Sequence, residues 1–139
     1  DTDSDLFVTA FYATWSPEAK TLTYGNAGHN PPLLVRGNGR SSQLTGDGIA
    51  LGVIPEIHIE RKKVTLKTGD VVIFYTDGVT EAMNEDYDEF GVERLRLVTQ
   101  QNRRRGSRAI RDAITNAIWE HTGDTAQFDD MTLIVFKCL

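Results

Sequence analysis

Apolar and polar positions alternate along the first half of the chain and recur at helical spacing along the second. From Leu6 to Trp15 aromatic and β-branched residues dominate, with Phe7, Thr9 and Phe11 on one face of an extended strand and Val8, Ala10 and Tyr12 on the other. Ser16-Pro17 turns the chain, and Thr21–Ala27 reads as the returning strand. Pro32–Arg36 and Ser41–Leu44 flank Gly37-Asn38-Gly39, a hairpin pattern. Ile57–Leu66 reads as a strand with charges on its solvent face. After the tight turn Thr68-Gly69-Asp70, the unbroken apolar run Val71–Thr76 implies a strand buried on both faces.

Beyond Gly91 the period changes. Val92, Leu95 and Val98 or Thr99 follow helical spacing. A second helix is expected from Ser107 to His121, with Ser107 as N-cap, Gly123 as C-cap and Ile110, Ala113, Ile114, Ala117 and Ile118 on one stripe. Met131–Cys138 is the closing strand. Strands, then helices, then a strand predict an α+β layered domain.

Composition narrows the class. The 139 residues fit a single domain, and 15 Lys+Arg against 20 Asp+Glu give a net charge of −5. This balance disfavours a nucleic-acid binder that works by phosphate neutralisation. No apolar run approaches the ~18 residues of a membrane helix, so no membrane contact is expected. One cysteine, Cys138, rules out an internal disulfide, and a reducing cytoplasm is the simpler compartment. The opening Asp1-Thr2-Asp3-Ser4-Asp5 reads as the start of a piece cut from something longer.

Two acidic positions are placed for chemistry. Asp77, followed by Gly78, ends the buried strand Val71–Thr76, and Asp129-Asp130 precedes the closing strand. If the two strands are antiparallel neighbours, Asp77 and Asp129 converge. Converging carboxylates repel unless a cation lies between them, which suits a hard dication such as Mg²⁺ or Mn²⁺. Spacing alone favours the plainer reading, an ordinary Asp-Gly turn and a loop acid, because Asp-Gly is a common turn pair.

Other groups read more plainly. His29 fastens a turn that Gly28 permits, and is left out of the catalytic set. Asp1, Asp3 and Asp5 lack the Gly and Glu of a calcium loop. Arg103-Arg104-Arg105 reads as a solvated inter-helix turn, and the acidic stretch Glu81–Glu93 as a surface loop. Cys138 has no phosphate-cradling loop after it, so a cysteine phosphatase is excluded.

Five strings, FVTAFYATW (7–15), YGNAGHNPPLL (24–34), DGIALGV (47–53), FYTDGVTEAMN (74–84) and FDDMTLIVFK (128–137), occur in that order. Together they resemble the metal-dependent PPM serine/threonine phosphatases, and within them the bacterial SpoIIE/RsbU branch. The resemblance implies an antiparallel β-sandwich flanked by helices, with two Mn²⁺ or Mg²⁺ ions at one end. It also implies a metal-activated water that attacks a phosphoserine or phosphothreonine directly. Asp77 and Asp129 match catalytic metal ligands of the family, with Gly78 included in the metal set. Asp130 matches a supporting neighbour.

The family's amino-terminal GD-x-x-G-x-G motif does not occur here; Gly46-Asp47-Gly48 has other neighbours. Residues 1–139 are therefore expected to be the carboxy-terminal portion of one phosphatase domain, incomplete at its amino-terminal side and inactive alone. The branch implies a phosphorylated STAS-type regulatory protein as substrate and partner. A missing segment would leave an open edge, such as that of Leu6–Trp15, and a homodimer could form there. The competing reading is a non-catalytic phosphatase-like interaction module.

Overall fold

The computed structural model describes residues 9–45, 59–125 and 130–139. The elements are β1 (Ala10–Ser16), β2 (Thr21–Ala27), β3 (Leu33–Val35), β4 (Ser41–Gln43), β5 (Lys62–Thr65) and β6 (Val71–Tyr75), then α1 (Asp77–Thr80), α2 (Gly91–Asn102), α3 (Ser107–Thr122) and β7 (Leu133–Lys137). The chain divides into two compact units, Asp1–Pro31 with Leu44–Leu66, and Pro32–Gln43 with Lys67–Leu139.

The first unit holds an antiparallel sheet in the order β1-β2-β5. β1 pairs along its whole length with β2, from Ala10 opposite Ala27 to Ser16 opposite Thr21. The Tyr12 ring lies across Gly25, its register partner, where a methyl group would stand 2.4 Å from the ring. The Phe11 and Tyr24 rings stack 5.6 Å apart. Of the expected strand Ile57–Leu66, Ile57 and His58 lie outside the described residues, and among the described ones Lys62–Thr65 pairs with β2, opposite Thr21–Tyr24. The pairing stops because the Leu66 N–H bonds the Lys20 carbonyl at the foot of the β1–β2 turn.

The second unit holds an antiparallel sheet in the order β4-β3-β6-β7 with helices on one face. The hairpin β3–β4 forms as its glycines predict, and Gly39 takes a positive φ of 92° that suits only glycine well. Alternate residues Leu33, Val35, Val71, Ile73 and Tyr75 share one buried cluster with Val79, Phe90, Leu95 and the α3 stripe Ile110, Ile114 and Ile118. β6 is central, and Val72 on its other face is buried too, so the run buried on both faces is as its apolar sequence requires.

Three element ends differ from expectation. Ser107 is the first helical residue of α3, not its cap. Gly106 is the N-cap, because its carbonyl already accepts the Ile110 N–H. Asp77 and Gly78 form no open turn but begin the one-turn helix α1. β7 ends at Lys137 because Cys138 is taken by the preceding turn: its N–H bonds the Asp70 carbonyl, and its carbonyl accepts the Gly69 N–H.

Asp70 locks that corner. Its buried carboxylate accepts the backbone N–H of Gly37 at 2.9 Å and of Lys67 at 2.8 Å, and pairs with the Arg36 guanidinium at 2.7 Å. Burial pushes its pKa up. The Lys67 N–H, Arg36 and the Gly37 N–H outweigh it and hold the carboxyl below its ordinary range.

Candidate active site

β6 and β7 are antiparallel neighbours, with Tyr75 opposite Leu133, so the end of one strand lies beside the start of the other. Thr76 makes the joint. Its backbone N–H donates to the Thr132 carbonyl at 3.2 Å, its hydroxyl oxygen accepts the Thr132 N–H at 3.0 Å, and its hydroxyl donates to the Asp130 carbonyl. Thr76 is also the N-cap position of α1, but its side chain spends itself on this crossing instead of capping the helix.

Gly78 completes the contact. It is buried, and a β-carbon there would stand 2.1 Å from the Asp130 carbonyl oxygen and 2.8 Å from its carbonyl carbon. Both obstacles are backbone, so no rotamer change could make room. The segment bearing Asp77 and the backbone of Asp130 can approach this closely only because residue 78 has no side chain. The Asp77 side chain is exposed in the first turn of α1. Burial pushes the neighbouring Tyr75 phenol up, the Gln43 side-chain hydrogen bond opposes this, and the Asp77 charge adds to the rise.

Asp129 lies outside the described residues, as do Asp47 and Phe128. Asp130 is described, and is exposed. Among the described residues no three carboxylate, histidine or cysteine side chains gather around one point. The exposed Asp77 carboxylate offers oxygen donors here, while the Asp130 carbonyl accepts the Thr76 hydroxyl. That chemistry fits a hard cation such as Mg²⁺ or Mn²⁺ and not a soft one.

The remaining sequence candidates fall elsewhere. His29 is fastened in a turn: Asn26 Oδ1 accepts its N–H at 2.8 Å, Asn26 Nδ2 donates to its carbonyl, and its ring Nδ1 lies 3.0 Å from the Asn30 carbonyl. Arg103 is not simply solvated, since its guanidinium donates to the carbonyls of Gly37 and Gln100. The acidic stretch is an ordered loop in which Asn84 Oδ1 accepts the N–H groups of Asp86 and Asp88. Sequence reading missed the steric part of Gly78 and the bridging part of Thr76. The only available signal was their adjacency to Asp77.

Residues 1–139 match the family model described as stage II sporulation protein E (SpoIIE). The protein IcfG of Synechocystis is 31% identical over 132 residues, 95% of this chain and 21% of its own length. The phosphoserine phosphatase RsbU of Bacillus subtilis is 29% identical over 85 residues, 60% of this chain and 25% of its own. The chain therefore spans about a quarter or less of these curated relatives. The solved SiaA-PP2C domain of Pseudomonas aeruginosa superposes with a TM-score of 0.74 at 22% identity, covering 86% of this chain and 47% of that one. That likeness shows the fold: antiparallel sheets with helices, as in PP2C phosphatase domains.

Proposed function

Since the chain belongs to the SpoIIE family, we propose that it is the carboxy-terminal portion of a PPM-type phosphatase domain that hydrolyses phosphoserine or phosphothreonine on a regulatory protein. The observation that carries this reading is the joint at Thr76, Gly78, Asp130 and Thr132. It fastens the Asp77 segment to the residues that directly follow Asp129. A structural turn would not need a glycine packed on a neighbouring backbone beside an exposed acid.

In this reading Asp77 and Asp129 hold the cations, with Asp130 as their support. Bound Mn²⁺ or Mg²⁺ supplies Lewis acidity, lowering the pKa of water and offsetting negative charge on the phosphoryl group. The chain's own residues position. Thr76 fixes the spacing of the two strands, α1 presents Asp77 at its first turn, and Gly78 admits the Asp130 backbone. His29 is given no part in proton transfer in this reading; it fastens its own turn through Asn26 and Asn30. The substrate is a phosphorylated protein of the STAS type, acted on in the cytoplasm; RsbU, named a phosphoserine phosphatase, supports the phosphoserine class.

The test uses the intact parent protein with a phosphoserine protein and an aryl phosphate, each with and without Mn²⁺ or Mg²⁺. Turnover is expected only with metal, and Asp77→Asn or Asp129→Asn should each lower it by about a hundredfold or more, the scale of a lost catalytic metal contact. Near-wild-type turnover of Asp77→Asn at saturating metal would remove Asp77 from the site. No turnover by the parent under any metal would favour the interaction-module reading.

A further inference from the structure

Beside the joint of Thr76, Gly78 and Asp130 the surface is hollow. A cleft of about 640 Å³ lies between α3 and the start of β7, within the size range of ligand pockets. Val79 of α1 and Ile118 of α3 line it and are buried, so they form a floor that belongs to the core. Met131 and Leu133, leading into β7, add two more apolar side chains.

The helix sequence explains the hollow. α3 turns Ile110, Ile114 and Ile118 to the sheet, and Thr115 and Trp119, one position on, share the flank of that stripe at helical spacing. Thr115 is small, and its hydroxyl donates back to the Arg111 carbonyl at 2.9 Å. Trp119 is large, lines the cleft and is 62% exposed. A small residue followed one turn later by an indole leaves a recess with an aromatic wall.

Charge selects what enters. Among the described residues that line the cleft there is no Lys or Arg, and Asp130 is the one ionisable side chain. A phosphate would meet that carboxylate with no cation to offset it, so the cleft is not a second phosphate site. Apolar walls with the hydroxyls of Thr115 and Thr132 suit an uncharged apolar side chain carried on a peptide.

Position identifies the peptide. Val79 is two residues past Asp77 in the same turn of helix, and Asp130 and Thr132 belong both to the cleft and to the joint with Thr76. The cleft is thus continuous with the proposed site. An extended chain advances about 3.3 Å per residue, so a peptide whose phosphoserine lies at Asp77 carries its side chains over the cleft within about three positions.

We propose that the α3–β7 cleft is a docking subsite for the phosphorylated protein substrate. It takes an apolar side chain within about three residues of the phosphoserine, and Trp119 packs against that side chain. A tryptophan suits this place because its wide, rigid ring buries much area at little cost in conformational entropy. The inference rests on the phosphatase reading and adds a sequence preference to it. Trp119 acts in specificity and touches no reacting atom.

The test uses the intact parent protein with Mn²⁺. Its substrates are an aryl phosphate and short phosphoserine peptides of alanine and glycine, one without leucine and the others with a single leucine at each position flanking the phosphoserine. At least one leucine position should raise kcat/KM about tenfold or more, chiefly through KM, the scale of an apolar group entering a fitted pocket. Trp119→Ala should remove that gain and leave turnover of the aryl phosphate unchanged, because so small a substrate does not reach the cleft. Trp119→Phe should keep most of the gain. Thr115→Phe, which fills the recess from α3, should act as Trp119→Ala does, and circular dichroism confirms that each variant folds. Peptides turned over alike by the wild type, or a leucine gain that survives in both folded variants, would overturn this proposal, while metal-dependent aryl phosphate turnover would leave the phosphatase reading standing. An equal loss on aryl phosphate and peptide would place the cleft in the chemistry and overturn it as a docking subsite. No turnover of any substrate would remove the phosphatase reading and this inference with it.

Discussion

A methyl group on Gly78 would stand 2.1 Å from the Asp130 carbonyl oxygen, well inside any tolerable contact. Gly78→Ala must therefore push the two acid-bearing segments apart. In the intact parent it should lower phosphatase turnover by about tenfold or more, as misplacement of a site by roughly 1 Å does. Its thermal midpoint should move much less than its rate, and comparing the two in one preparation checks this. Asp70 is the converse case, a residue of stability and not of chemistry. Its pKa is depressed in the fold, so its contribution is fully present above the ordinary carboxylate value of 3.8 and is lost as pH falls through the lower folded value. Asp70→Asn should cost about 3 kcal/mol at neutral pH, because a charged acceptor of three donors is lost. It should also flatten the acid limb of the denaturation curve, as followed by urea melts at several pH values.

Among the elements, the α3 stripe is the most heavily packed. Ile110 and Ile114 are wholly inaccessible in the cluster beneath the sheet. Ile114→Ala should cost about 2–5 kcal/mol through lost burial and a residual cavity, read as a shift in denaturation midpoint. That helix was legible in the sequence because five apolar residues repeat at one helical period. β6 was legible because its run has no polar break. What escaped was set by partners distant in sequence. The helix α1 is one turn long, too short for any periodicity to show. β5 and β7 stop where Leu66 and Cys138 give their hydrogen bonds to turns, and no residue pattern within a strand announces that. The candidate site was half legible. Asp77 stands out as an acid ending a buried strand, but the contact of Gly78 with Asp130 joins residues 52 positions apart and exists only once β6 and β7 pair.

At the scale of the molecule, the charge available to hold metal is small. In the proposed site Asp77 and Asp129 would supply −2 against +4 for two dications, and affinity falls as ligand charge falls. The 139-residue chain alone should therefore take up Mn²⁺ weakly and release no phosphate from an aryl phosphate, as calorimetry and a colorimetric assay would show. Tight uptake of two ions with turnover would mean that these residues suffice. A different use comes from the corner where the chain ends. The one cysteine of the sequence, Cys138, is buried with its peptide groups stitched to Gly69 and Asp70, while Leu139 beside it lies open to solvent. A thiol reagent can reach it only when the last strand peels away, so the rate of labelling counts those openings. Asp70→Asn, which weakens the same corner, should speed labelling far more than Ile114→Ala does for an equal loss of stability. Residues 1–139 thus carry their own single-site gauge of fraying, with no probe to be introduced.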